Sequence, residues 1–170
     1  DVYKRQPEPG PASASPRHQS AGRAAHIIRA TSEEARFVMD SRLKTYIVED
    51  NLTIRENLIG TLEELARTVV VGFAETEDHA VEWLRTHAGE WNLAVVDLFL
   101  KQGSGLGVLQ ACTERRPEQK VVVLSNYATP DIRRRCAQFG VDAVFDKSNE
   151  IDALVDFCLR AVALQPPGPG

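Results

Sequence analysis

Asp97 ends the apolar run Leu93-Ala94-Val95-Val96, and a lone carboxylate delivered at the end of such a run is placed to react. Four small or branched apolar residues before it predict a strand buried on both faces, as in the middle of a parallel sheet. In open parallel sheets the ligand crevice lies beyond the carboxyl ends of the strands, which aims Asp97 at solvent and substrate. Taken alone, the same residue could simply cap the following loop. The other strand ends separate the two readings. Thr45-Tyr46-Ile47-Val48 runs into the acidic pair Glu49-Asp50; Val121-Val122-Val123-Leu124 runs into the hydroxyl of Ser125; Ala143-Val144-Phe145-Asp146 runs into the ammonium of Lys147. The chemistry on offer is that of a reactive carboxylate beside two further acids, a hydrogen-bond donor and a fixed positive charge.

Those side chains meet only if the elements between the strands bring the strand ends together. Ile54, Leu58, Leu62 and Leu65 recur at helical spacing and predict a first helix with these four on its inner face. Thr68 to Phe73 reads as the second strand. Thr76 caps a second helix with Glu77 and Asp78 in its first turn, and Ala80, Val81 and Leu84 point inward. Three glycines in Gly103-Ser104-Gly105-Leu106-Gly107 match neither a Rossmann nor a P-loop pattern and read as a flexible strand-to-helix connection. Val108, Leu109 and Cys112 mark a third helix. Thr129-Pro130-Asp131 starts a fourth, with Ile132, Cys136 and Phe139 buried and Arg133-Arg134-Arg135 read as a solvated face. Ile151, Leu154, Val155, Cys158, Leu159 and Val162 trace a fifth. Five strands alternating with five helices predict an α/β, flavodoxin-like doubly wound parallel sheet with strand order 2-1-3-4-5. That order places Glu49, Asp50, Asp97, Ser125 and Lys147 around one shallow crevice.

Composition removes several function classes. A net charge of −4 gives no electrostatic footprint for direct nucleic-acid binding, and no apolar run reaches the length of a membrane span. Cys112, Cys136 and Cys158 are far apart and outside metal spacing, as expected of reduced thiols in a cytoplasmic protein. His79 and His87 are too widely spaced for one-turn metal pairing, and Trp83 and Trp91 read as packing residues. Residues 1–38 are rich in proline, serine and alanine without period and are expected to be a disordered, non-native extension ahead of Met39. The domain is then expected over 39–164, with 165–170 a flexible tail.

The set Glu49-Asp50, Asp97, Ser125 and Lys147, each at its own strand end, resembles the receiver domains of two-component response regulators. The resemblance spans roughly residues 43 to 164. It implies that Asp97 accepts a phosphoryl group from a sensor histidine kinase or a histidine phosphotransfer protein, with Ser125 and Lys147 assisting. It implies Mg²⁺ as cofactor, held by Asp50 and Asp97 directly, by Glu49 through water and by the backbone carbonyl of Phe99. A hard cation suits this set, because a carboxylate attacking a phosphoryl group otherwise meets like charge. A phosphoaccepting signalling module, not an enzyme, is the expectation. Its output is a conformational change passed to a protein partner at the helix 4, strand 5, helix 5 face, with phosphorylation-dependent homodimerisation a further outcome. Only a few residues follow Leu164, so the effect is expected to pass through that partner.

Three departures from the family pattern stand out. Val144 occupies the place of the usual switch aromatic, with Phe145 one residue later and facing the other side. Ser148 follows Lys147 where proline is common. Phe99 and Tyr127, both bulky, stand two residues beyond Asp97 and Ser125, where they are expected to shield the phosphoryl group from water and prolong its life. Two other classes compete: a pseudo-receiver that binds partners without phosphorylation, and a phosphohydrolase with an aspartyl nucleophile. The complete acidic set opposes the first. The second calls for an acid two residues after the nucleophile, where Phe99 stands.

Overall fold

The computed structural model describes residues 31–33 and 41–166. Met39, most of the expected N-terminal extension and the last four residues lie outside the described residues. Between Leu43 and Ala163 the chain alternates strand and helix: β1 Leu43–Val48, α1 Leu52–Leu65, β2 Thr68–Ala74, α2 Glu77–Thr86, β3 Leu93–Val96, α3 Gly105–Ala111, β4 Lys120–Ser125, α4 Pro130–Ala137, β5 Ala143–Asp146 and α5 Ile151–Ala163. All four strand pairings are parallel. The strand order is β2-β1-β3-β4-β5, the order expected from the alternation and right-handed crossovers.

The centre of the sheet is apolar on both faces because helices cover both. All four residues of β3 are buried. Ala94 and Val96 pack with Ala80, Leu84, Val108, Leu109 and Cys136 of α2, α3 and α4. Leu93 and Val95 pack with Leu58, Leu62, Leu154 and Cys158 of α1 and α5. Burying each large aliphatic side chain contributes roughly 1.5–3 kcal/mol, which makes this two-sided core the main favourable contribution to folding. The three cysteines are free and buried within it. Burial pushes the Cys112 thiol up to about 11 and the Cys158 thiol up to about 12, so both stay protonated and unreactive.

Two helical faces differ from expectation. In α1, Ile54 is 36% exposed and Leu65 56% exposed, while the buried line runs Arg55, Leu58, Leu62 and then Ala66 beyond the helix end. The spacing is three, four, four, so the inner face lies part of a turn around from the apolar stripe. Arg55 is drawn in by polar partners: its Nη1 donates to the Glu49 carbonyl at 2.9 Å and pairs with Glu75 at 2.9 Å, and its guanidinium lies 4.2 Å above the Phe73 ring. In α5, Leu159 is exposed, and the buried line is Leu154 and Cys158.

The caps follow the sequence. Thr76 accepts from the His79 amide at 3.3 Å and Thr129 from the Ile132 amide at 3.3 Å, with Pro130 in the first turn. Trp91 is buried, and Trp83 stacks between Tyr46 and His87 at centroid distances of 3.9 and 4.4 Å. The arginine run is more than a solvated face. Arg133 bonds the Val144 carbonyl and the Glu150 carboxylate, each at 2.7 Å, tying α4 to β5 and to the start of α5, while Arg134 pairs with Asp131.

Candidate functional site

β1 and β3 are neighbours although α1, β2 and α2 separate them in sequence, and the crossovers leave them on opposite faces of the sheet. The gap between their C-terminal ends is therefore open, as at the switch point of any doubly wound sheet. Glu49 and Asp50 leave β1 there, and Asp97 leaves β3. One oxygen from each of the three lies within 4.8 Å of the others. From β5, Lys147 places Nζ 2.5 Å from Glu49 Oε2 and 3.0 Å from Asp97 Oδ2, with all three side chains nearly buried. From β4, Ser125 is fully buried, and its Oγ accepts the Tyr127 amide at 3.1 Å. The five residues singled out by type and strand position thus come from four adjacent strands to one rim.

The local electrostatics are those of three acids around one ammonium. Burial by itself lowers the Lys147 pKa, but the hydrogen bond to Glu49 and the charge of Asp97 outweigh it and raise Lys147 above its usual value. Lys147 is therefore a permanent cation at neutral pH. Glu49 is the most buried of the three acids, with Oε1 accepting from the Asn51 amide at 3.1 Å and Oε2 held by Lys147. Asp97 Oδ1 accepts the Phe99 amide at 3.2 Å, and Asp50 Oδ2 accepts the Lys101 amide at 2.7 Å. Three all-oxygen acids in excess of the local positive charge are a donor set for a hard divalent cation. Asp50 and Asp97 would hold it directly, and Glu49 would reach it through water, the division that the receiver resemblance implies.

Sequence reasoning missed three contributors. Arg55 braces the carbonyl of Glu49 from below, and the only hint was an arginine on a helix beside an apolar stripe. The Lys101 amide holds Asp50, a backbone contact that no residue type announces. The glycine-rich connection is closely packed, not slack: a Cβ at Gly105 would overlap the Asp97 carbonyl, and Gly103 has φ +80. The departures are also visible. Phe145 packs on Phe157 on the α1/α5 side, whereas Val144 belongs to the opposite layer. The Lys147–Ser148 bond is trans. Phe99 and Tyr127 meet edge to face at 5.2 Å and are 53% and 61% exposed beside Asp97 and Ser125.

A five-stranded parallel sheet that gathers an acid triad, a hydroxyl and a lysine at its C-terminal rim defines a receiver-type signalling module. The chain belongs to the response regulator receiver domain family, whose pattern it matches over residues 45–158. Among curated proteins it is 27% identical to the photosynthetic apparatus regulatory protein RegA of Rhodobacter capsulatus, covering 81% of this chain and 73% of that one. The response regulator domain of CheB from Thermotoga maritima shares the fold with a TM-score of 0.63 at 18% identity, over 74% of this chain and 99% of that one. A response regulator from Burkholderia pseudomallei, solved with a phosphorylated aspartic acid, calcium ion and citrate, superposes with a TM-score of 0.59 at 21% identity, over 71% and 69%. No described helix is long and apolar enough to cross a membrane.

Proposed function

We propose that this domain is a phosphoacceptor switch of a two-component relay, in which Asp97 takes a phosphoryl group from a phosphohistidine on a sensor kinase or phosphotransfer protein. One observation carries the reading: Lys147 Nζ reaches Asp97 and Glu49 together, within a cluster that Asp50 completes. An Asp97 carboxylate oxygen forms a bond to phosphorus as the phosphorus–nitrogen bond to the donor imidazole breaks, and the departing imidazole takes up a proton. Asp50, Asp97 and the Phe99 carbonyl would hold Mg²⁺, with Glu49 reaching it through water, and the ion would supply charge neutralisation for the phosphoryl oxygens. Lys147 contributes a fixed positive charge that can move its second contact from Asp97 to a phosphoryl oxygen. Ser125 can donate its hydroxyl proton to another oxygen while Oγ still accepts the Tyr127 amide, which draws the β4–α4 connection toward the site. The Burkholderia response regulator, solved with a phosphorylated aspartic acid and a calcium ion, supports an aspartyl phosphate as a product this fold can carry.

The output is conformational, with no substrate turned over, and the setting is the cytoplasm. A partner protein, or a second copy of the domain, reads it at the α4–β5–α5 face, where Arg133 joins the three elements. The regulatory name of the RegA relative supports such an output. Incubation with acetyl phosphate and Mg²⁺, followed by intact mass measurement, should show a gain of one phosphoryl group that chelation of the metal prevents. An unchanged mass overturns the reading, and turnover of a phosphomonoester replaces it with the hydrolase.

Phe99 and Tyr127 bear on the lifetime of the product. They meet edge to face two residues beyond Asp97 and Ser125, and in this reading the pair shields the phosphoryl group from water. The double variant Phe99→Asn with Tyr127→Ala is expected to lose its phosphoryl group about tenfold faster, which corresponds to roughly 1.4 kcal/mol off the hydrolytic barrier. Following the decay by intact mass after donor removal checks this, and an unchanged rate rules out shielding.

A further inference from the structure

Glu77, at the start of α2, touches none of the five residues at the strand ends, yet it grips the loop that carries their neighbours. Its Oε2 accepts the Ser104 amide at 2.6 Å, and its own amide donates to the Gln102 carbonyl at 3.2 Å. The first bond is short and charge-assisted, which places it among the stronger hydrogen bonds a loop can make. The glycines of the loop are shaped around this side chain. A Cβ at Gly103 or at Gly107 would overlap Glu77, whereas one at the neighbouring Gly105 would overlap the Asp97 carbonyl. From the other side, Asp50 holds the same loop through the Lys101 amide at 2.7 Å, and the Gly105 amide closes it onto the Leu98 carbonyl at 3.0 Å. Phe99, Lys101, Gln102 and Ser104 are therefore pinned between an acid of the cluster and an acid of α2.

We infer that Glu77 is a positioning residue for cation binding, fixing the β3–α3 loop so that the Phe99 carbonyl and the Lys101 contact to Asp50 are set before the cation arrives. The inference rests on the proposed role of the acid cluster. A loop held in place beforehand loses less conformational freedom on binding, and that saving appears as affinity. A glutamine at the position can still accept the Ser104 amide; an alanine cannot.

The test is Mg²⁺ affinity by calorimetry on wild type, Glu77→Ala and Glu77→Gln, alongside metal-free amide spectra. Glu77→Ala is expected to bind Mg²⁺ about fivefold more weakly, to require correspondingly more Mg²⁺ for half-maximal labelling by acetyl phosphate, and to keep a rate within about twofold of wild type at saturating Mg²⁺. Its Ser104 amide proton should move upfield. Glu77→Gln should restore most of the affinity and the amide position. If Glu77→Ala does not fold, Gly107→Ala serves instead, because its methyl group must displace the carboxylate while leaving Glu77 in the chain. Wild-type affinity in Glu77→Ala, or in Gly107→Ala with a displaced Ser104 amide, overturns the inference and leaves the cluster's role standing. Failure of wild type itself to bind Mg²⁺ overturns both, and the two results are told apart by that single control.

Discussion

Asp97→Asn is expected to gain no mass from acetyl phosphate and Mg²⁺ while melting higher than wild type in metal-free buffer. The loss of labelling follows from chemistry: an amide oxygen lacks the nucleophilicity and the charge to form an acyl phosphate. The gain in stability follows from charge. Three acids converge within 4.8 Å, and among the described residues Lys147 is the one ammonium paired with them. Removing the Asp97 charge leaves Lys147 on Glu49, and an asparagine can still accept the Phe99 amide, so repulsion falls while both main contacts persist. About 1 kcal/mol of relief would raise the melting temperature by about 3–5 °C for a domain of this size. Mg²⁺ should stabilise the variant less than wild type, since a ligand is lost. Thermal melts with and without Mg²⁺ measure both effects. A variant that melts lower in chelator would mean that the Lys147–Asp97 attraction exceeds the repulsion among the acids.

The placement of the acids was legible in the sequence because each stands where an apolar strand ends. Alternation of apolar runs with helical stripes determined the sheet order, and the order alone brings Glu49, Asp50, Asp97, Ser125 and Lys147 to one rim. Side-chain type could not show which contacts would form at that rim. Lys147 reads as a partner for Asp97, yet its shorter bond is to Glu49. Arg55 drew no reading from its type, and it is buried because the Glu49 carbonyl and Glu75 satisfy its donors. Gly103 and Gly107 read as slack, whereas their missing side chains make room for Glu77. In each case the deciding partner lies on another element, distant in sequence, where neither periodicity nor local propensity carries a signal.

Lys147→Ala should cost both rate and stability, and the pH dependence of the loss identifies its origin. The raised pKa of Lys147 means that its stabilisation is complete below the unfolded value near 10.5 and is lost only as pH rises through the folded value, so at neutral pH all of it is present. Removing the ammonium leaves Glu49 and Asp97 as nearly buried carboxylates without their cation, a change that costs about 3 kcal/mol when a buried pair is broken. Burial already pushes the Glu49 pKa up, with Lys147 the main influence opposing it, so in the variant Glu49 rises further. An acid with a raised folded pKa binds more protons folded than unfolded. Stability then falls as pH rises from the unfolded value near 4.5 through the folded value, and the deficit relative to wild type should be largest at neutral pH and shrink toward pH 4.5. Denaturant melts of both proteins across that range check the sign; a deficit independent of pH would assign the loss to packing. Labelling by acetyl phosphate at saturating Mg²⁺ should slow by about 10²–10³, the usual loss for one preorganised stabiliser of developing charge. Lys147→Arg should recover part of the stability and little of the rate, because a planar guanidinium can pair with Glu49 but cannot present one compact charge to both Asp97 and a phosphoryl oxygen.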